Sequence, residues 1–421
     1  MPVSSRLFSA SLSGPRRCLT ALTLMAALML APGAGVPVDA APAPRGETVA
    51  QDAARLERLR AILDRITLPD GFRIDVYALV PRARHLAVAP EGTHVFVGTR
   101  GDRVWVVTDQ DKDQRADTVR QFAPAVDFVI PNGVCFAPDG VLYVVEQNRV
   151  LGFAGAGTIG DAGDPPATVI VQKGELIPPS EESRNHSARV CRVGPDDRLY
   201  ISLGQPYNVP PRRKLALYDK TGIGGIIRLN RDGSGREVFT RGIRNSVGHD
   251  FHPETGELWF TDNQVDRMGD DIPPGEINRQ TAPGQHFGFP WYGGGAVRTH
   301  EYAADTVPED VVMPAVETIA HAADLGMSFY TGKMFPERYR GGIFSAQHGS
   351  WNRTTPVGAR VMFTAIAEDG SAETVPFAEG WLDESGSYLG RPVDVAQLPD
   401  GSLLVSDDRA GALYRIWYEG D

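Results

Sequence analysis

From residue 86 onward the chain alternates short apolar runs with tight polar turns. The segments 86–100 (LAVAPEGTHVFVGTR), 134–147 (VCFAPDGVLYVVEQ), 191–204 (CRVGPDDRLYISLG), 250–263 (DFHPETGELWFTDN) and 395–408 (VAQLPDGSLLVSDD) repeat one unit. Each is an apolar strand, a turn of proline, acid and glycine character, and a second apolar strand ending in polar residues. A sixth copy, FYTGKMFPERYRGGIFSAQHG (329–349), has a longer turn. A hairpin cannot bury both of its faces alone, so repeated units stack on their neighbours. Six hairpins, each taken as the middle of a four-stranded sheet, predict an all-β six-bladed β-propeller. The turn prolines, Pro90, Pro138, Pro195, Pro253, Pro336 and Pro399, are more widely spaced than bare blades need. Loops are therefore inserted, the largest between Asp262 and Ser328. The last apolar run, GALYRIWYE (411–419), has the character needed to close the ring. Ahead of the repeats, Leu56, Leu59, Ile62, Leu63 and Ile66 fall at helical spacing between charged residues, which predicts an amphipathic helix within 53–66. The pattern divides the chain into a linker with a short helix (41–67) and one propeller domain (68–421).

The first 40 residues follow another rule. Arg6, Arg16 and Arg17 precede a mostly apolar run from Leu19 to Ala31, and small residues continue to Val38-Asp39-Ala40. This predicts a secretory signal peptide over 1–40, a periplasmic or secreted protein, and no membrane span in the mature chain. The formal charge of −11 argues against nucleic acid or an anionic lipid surface as a partner, because both require a concentrated basic face. Outside the signal segment only Cys135 and Cys191 remain. Each lies in an apolar strand, a context that reads as a buried free thiol rather than a bridge.

Propeller loops at one end of the ring converge over the central channel, so polar residues flanking different hairpins can meet in space. Four groups qualify. In Asn185-His186-Ser187-Ala188-Arg189 a neutral imidazole can accept a proton from a hydroxyl, the alternative being a structural loop histidine. Arg244-Asn245, with Asp262, Asn263 and Gln264, can hold a carboxylate or polarise a carbonyl, or form an ordinary ion pair between blades. AQHGSWNR (346–353) gathers His348, Asn352 and Arg353 around a tryptophan, and Arg391 precedes the last hairpin as either a ligand cation or a surface arginine. Separately, Asp109, Asp111, Asp113 and Asp117 stand at positions one, three, five and nine of a loop, a spacing that suits calcium. Gln114 at the sixth position and Arg120 at the twelfth break the EF-hand pattern, so a solvated acidic turn is the alternative. There is no P-loop or HExxH motif.

With these residues laid out, the chain resembles the glucose/sorbosone dehydrogenase family, soluble quinoproteins that use pyrroloquinoline quinone (PQQ) and calcium on a six-bladed propeller. The likeness spans residues 68–420 and is carried by PNGVCFAPDGVLYVVE, RNSVGHDFHPETGELWFTDNQVDRMGDDIPPGEIN, FGFP, HGSWNR and GRPVDVAQLPDGSLLVSDD. The second piece and HGSWNR look most similar to the sorbosone dehydrogenase-like branch. The resemblance implies that His186 is the catalytic base and that Arg244 and Asn245 lie beside the quinone. It further implies that Asn263, and more weakly Asn208, contact the cofactor, and that Gln264 and Val265 offer backbone carbonyls to calcium. Arg391 and either His348 or Arg353 would grip the PQQ carboxylates. The implied reaction oxidises an aldose or sugar aldehyde at C1, with electrons passing on to an external acceptor. This chain departs from the glucose-oxidising relatives at Asn263-Gln264-Val265 (their Gln-Gly-Pro), at His348 (their lysine) and at Val393 (their second arginine), and Tyr207 and Pro210 stand where a cysteine pair often flanks Asn208. Rival readings are a calcium-dependent lactonase-type hydrolase and a non-catalytic sugar- or protein-binding propeller.

Overall fold

The computed structural model describes residues 46–159 and 163–420. The expected signal segment, 1–40, lies outside the described residues. The predicted helix runs as α1 (Ala53–Leu63), capped by the Asp52 carboxylate on the Arg55 amide at 2.7 Å. It buries Leu59 and Leu63 in a cluster with Phe72 and Tyr339. The segment after it is not a free linker, because Thr67 forms a bridge with Glu379.

Among the described residues, twenty-four strands follow in six antiparallel four-stranded sheets. After β1 (Phe72–Leu79), blade one contains β2 (Leu86–Val88), β3 (His94–Val97), β4 (Val104–Thr108) and β5 (Thr118–Phe122). Blade two contains β6 (Gly133–Phe136), β7 (Leu142–Val145), β8 (Val150–Phe153) and β9 (Thr168–Val171), and blade three β10 (Cys191–Val193), β11 (Arg198–Leu203), β12 (Gly225–Asn230) and β13 (Glu237–Thr240). Blade four contains β14 (His249–Phe251), β15 (Leu258–Asp262), β16 (Gly275–Gln280) and β17 (Val316–Thr318). Its long insertion falls between β16 and β17. Blade five contains β18 (Asp324–Phe329), β19 (Ile343–Gln347), β20 (Arg360–Ile366) and β21 (Ala372–Glu379). Blade six contains β22 (Pro392–Gln397), β23 (Leu403–Asp407) and β24 (Ala412–Tyr418), and takes β1 as its outer strand.

Two expectations change here. The repeated hairpins are the first two strands of each sheet rather than its middle pair, and the first strands neighbour one another around the ring. This brings the polar residues flanking those strands to the channel. The ring closes not on β24 alone but on its pairing with β1, where Phe72 faces Tyr418 and Leu79 faces Ala412.

The core is divided among the blade interfaces. Phe96, Phe122, Val144 and Phe153 pack between blades one and two, Tyr200, Phe239 and Phe260 between three and four, and Phe344, Phe363, Trp381 and Tyr414 between five and six. Blades two and three are also joined covalently: Cys135 and Cys191 form a disulfide with Cα atoms 5.8 Å apart. The free-thiol expectation is therefore corrected. Cys135 on β6 and Cys191 on β10 are 56 residues apart in the chain, but they lie on neighbouring first strands.

Candidate active site

One end of the ring is built from the residues that precede each first strand and those that follow each second strand. A cavity of about 210 Å³ there is lined by His186, Arg244, Asn245, Asn263, Gln264 and His348, together with Arg84, Arg100, Asp262, Asp324 and Trp351. A wider cleft of about 520 Å³ continues outward past Asn208, Asp266, Arg184 and Arg267.

His186 enters this cavity with a left-handed backbone, φ 49°. Non-glycine residues rarely hold that conformation without support from their surroundings. Here the buried Arg189 donates to the His186 carbonyl at 2.9 Å and to the Gly204 carbonyl at 3.1 Å. On the imidazole, Nδ1 meets the Gln205 carbonyl. A carbonyl only accepts, so the proton sits on Nδ1 and the lone pair on Nε2. Burial, helped by the charges of Arg244, Arg189 and Arg100, pushes the imidazole down to about 3, so the ring is neutral at ordinary pH.

Arg244 is held from three sides. Its guanidinium donates to the Asn208 carbonyl (3.0 Å), the Asn208 Oδ1 (2.8 Å), the Asn263 carbonyl (3.1 Å) and the Asp266 carboxylate (2.7 Å). Asp262 fixes the backbone beneath it, accepting from the Arg244 amide at 2.9 Å and the Asn245 amide at 2.7 Å. Asn263 donates to the carbonyls of Asn245 (3.2 Å) and Asp324 (2.9 Å), bridging blades four and five. The Asn245 Oδ1 is buried and accepts no hydrogen bond. Asp262 also faces Glu276 across the β15–β16 ladder. Burial raises both carboxyls, and in Glu276 the charge of Asp262 adds to the rise.

The opposite wall comes from blades five, six and one. His348 Nε2 lies 2.9 Å from Asp408 Oδ1, and Arg84 reaches the other oxygen of Asp408 at 2.5 Å. Burial holds the His348 imidazole below its usual range in spite of that carboxylate, so this side chain is a neutral donor rather than a cation. Although burial opposes ionisation of Asp408, the His348 hydrogen bond and the Arg84 charge keep its carboxyl well below the carboxylate range. Arg100 donates to the Arg184 carbonyl at 2.9 Å.

The structure thus brings His186, Arg244, Asn245, Asn263, Gln264 and His348 to one cavity and puts Asn208 in the cleft above it. It does not bring Arg353 or Arg391 there. Arg353 turns to the Asp270 and Ala320 carbonyls and the Asp271 carboxylate. Arg391 donates to the carbonyls of His348 (2.8 Å), Gly349 and Ser350 (3.4 Å), and its guanidinium lies 4.7 Å over the Tyr388 ring. It shapes the His348 loop from behind. Val265 is buried off the cavity, with its amide on the Gly293 carbonyl at 2.9 Å. Among the described residues no hydrogen bond reaches the carbonyl of Gln264 or of Val265. Asp109, Asp111, Asp113 and Asp117 lie on the β4–β5 loop at the far end of the ring, among the hairpin turns.

Arg84, Arg100, Asp266, Asp324 and Asp408 were not singled out in the sequence. The signal was nonetheless available: Arg84 precedes β2, Arg100 follows β3 and Asp408 follows β23, the same places in the repeat that His186, Asn263 and His348 occupy in theirs.

Residues 167–415 match the glucose/sorbosone dehydrogenase family. The chain belongs to that family. An uncharacterized protein of Borreliella burgdorferi is 36% identical across 57% of this chain and 63% of its own length, so the match spans less than two thirds of that relative. Among solved structures, the fold is shared with the PQQ domain of a pyranose dehydrogenase from Coprinopsis cinerea (TM-score 0.66, 17% identity, 84% of this chain and 97% of that one). It is shared also with a calcium structure of a Trichoderma reesei Carbohydrate-Active Enzymes Family AA12 protein (0.67, 18%, 84% and 97%) and the soluble aldose sugar dehydrogenase of Escherichia coli (0.58, 18%, 82% and 99%).

The residues of this family member fit the cofactor pair that the resemblance implies. Three guanidiniums, Arg84, Arg100 and Arg244, line the cavity, which suits an anion carrying several carboxylates. The carbonyl of Gln264, a residue of the cavity wall, and that of Val265 next to it accept no hydrogen bond among the described residues and are oxygen donors of the kind a hard cation takes. Among the described residues no three acidic or imidazole groups of the cavity converge closely enough to hold a metal by side chains alone.

Proposed function

We propose that this family member is a PQQ- and calcium-dependent dehydrogenase, exported to the periplasm or beyond, that oxidises an aldose or sugar aldehyde at C1 and yields electrons to an external acceptor. The arrangement that carries the reading is a neutral histidine with a free Nε2 facing a cavity lined by three arginines. Arg84, Arg100 and Arg244 would hold the cofactor's carboxylates and reactive carbonyl, and Gln264 and Val265 would hold calcium by their carbonyls. When bound, PQQ supplies a two-electron acceptor that no protein side chain provides.

The remaining work belongs to the chain. Nε2 of His186 accepts the proton of the C1 hydroxyl, while the Nδ1–H to Gln205 bond fixes the tautomer and the Arg189 contact fixes the backbone. The Asp266 and Asn208 contacts keep the Arg244 guanidinium aimed before substrate arrives, so little reorganisation is needed. Trp351, 63% exposed at the mouth with Arg267 stacked on it, offers a flat apolar face for a sugar ring. The Cys135–Cys191 disulfide supports an oxidising compartment.

The test is to add PQQ and calcium to purified protein and follow dye reduction with a panel of aldoses and sugar aldehydes. Failure to bind PQQ at micromolar concentration sinks the proposal. Given binding, His186→Ala is expected to lower kcat by about 10²- to 10⁴-fold while sparing cofactor affinity. An unchanged kcat would show that the base is another group.

A further inference from the structure

The acidic loop between β4 and β5 lies at the end of the ring opposite the cavity and has no part in the proposed chemistry. Asp109, Asp111 and Asp117 each bring one carboxylate oxygen within 4.8 Å of the other two. Asp113 is not of this group; within the loop, amides donate to the carboxylates of Asp111 (from Asp113, 3.2 Å), Asp113 (from Arg115, 2.8 Å) and Asp117 (from Gln110, 2.6 Å). Asp109 is only 4% exposed, and its Oδ1 is buried with no hydrogen-bond partner. A buried carboxylate oxygen without a donor is costly, and more so with two like charges beside it. The loop supplies no compensating cation: Arg115 turns away to Asp75, and among the described residues no ion pair reaches any of the four aspartates. Three neighbouring carboxylates, one of them buried with an oxygen that has no hydrogen-bond partner, are the donor set of a hard divalent cation.

The position of the loop says what such an ion does. Asp109 is anchored in blade one, its amide donating to the Thr93 carbonyl at 3.1 Å. Its Oδ2 meets the Tyr77 hydroxyl at 3.4 Å, and the Ala116 amide donates to the Tyr77 carbonyl at 3.1 Å. Tyr77 belongs to β1, the strand that completes blade six. The loop therefore spans the seam where the first and last blades meet. We propose that Asp109, Asp111 and Asp117 form a calcium site, separate from the cavity, that fastens the closing seam of the propeller.

The experiment uses the full-length protein stripped of metal. Terbium is titrated in place of calcium and excited through tyrosine, since Tyr77 touches a ligand of the site. Emission is expected to fall in Tyr77→Phe and in Asp111→Asn, and to be displaced by calcium. Direct calcium titration is expected to show one equivalent fewer in Asp111→Asn and Asp117→Asn than in the parent, with a smaller calcium-induced rise in Tm. Both positions are exposed, so the variants fold. Because the readout is a difference of one equivalent, it holds whether or not the cavity binds calcium, and failure here is distinct from failure of the proposed reaction. Unchanged stoichiometry in both variants, or equal occupation by magnesium at the same concentration, overturns the proposal.

Discussion

The state of His186 gives the sharpest quantitative test. Burial and three nearby arginines move its imidazole from 6.5 to about 3 in the cofactor-free protein. At about 1.4 kcal/mol per pKa unit, this is roughly 5 kcal/mol favouring the neutral ring. The folded state therefore resists a proton that the unfolded chain accepts readily. Stability contributed by this residue is complete above pH 6.5 and declines as pH falls from there toward 3, by up to about 1.4 kcal/mol per pH unit. Between pH 7 and pH 4.5 the loss is about 2.5 kcal/mol, and His186→Gln, which does not titrate, does not suffer it. Urea midpoints of both proteins at pH 7, 5.5 and 4.5 give the difference directly. Histidine-selective carbon labelling follows the same ring by NMR, where the Nδ1–H tautomer is expected to persist to pH 4.5. Binding of a polycarboxylate should then raise this pKa, because added negative charge beside the ring favours its protonation. A His186 resonance titrating near 6.5 in the free protein, or a parent-to-variant difference independent of pH, would refute the reasoning.

Further expectations concern other parts of the ring. Arg100→Ala should weaken PQQ binding about tenfold, read by fluorescence titration, because it removes a cation from the cavity wall, whereas Arg391→Ala should loosen the His348–Ser350 segment, read as faster local hydrogen exchange. Replacing Cys135 and Cys191 by serine should lower stability by up to about 4 kcal/mol in denaturant titrations, the loop-closure value for 56 residues. Burial raises the Asp394 carboxyl to about 7, so its contribution is present at low pH and is lost as pH rises from about 4 through 7. Asp394→Asn should remove that slope in urea midpoints measured across the same range.

Much of the architecture was legible because its signals are local. A two-residue period, repeated turn prolines and six hairpins need no knowledge of the rest of the chain, and they led to the propeller and to one end of the ring where polar flanking residues gather. What escaped were facts about neighbours across the ring. Cys135 and Cys191 look isolated along the chain but meet because first strands of adjacent blades touch. Arg391 looks like a free cation, yet its donors are taken up by backbone carbonyls of the preceding blade. His348 stands where a relative carries a lysine, but burial keeps it neutral, and Arg84 and Arg100 supply the charge from blade one. The six-fold repeat itself was the missing guide: reading the same two positions in every hairpin finds these arginines.

The pairing of β1 with β24 places Phe72 directly across from Tyr418. The start of β1 and the end of β24 therefore lie side by side at one end of the same sheet. A short peptide joining residues 418 and 72 would turn that non-covalent seam into an ordinary hairpin, and new ends could be opened at a turn between other blades. In such a rearranged chain every blade would be continuous, and the cavity, lined from blades one, three, four and five, would keep its walls.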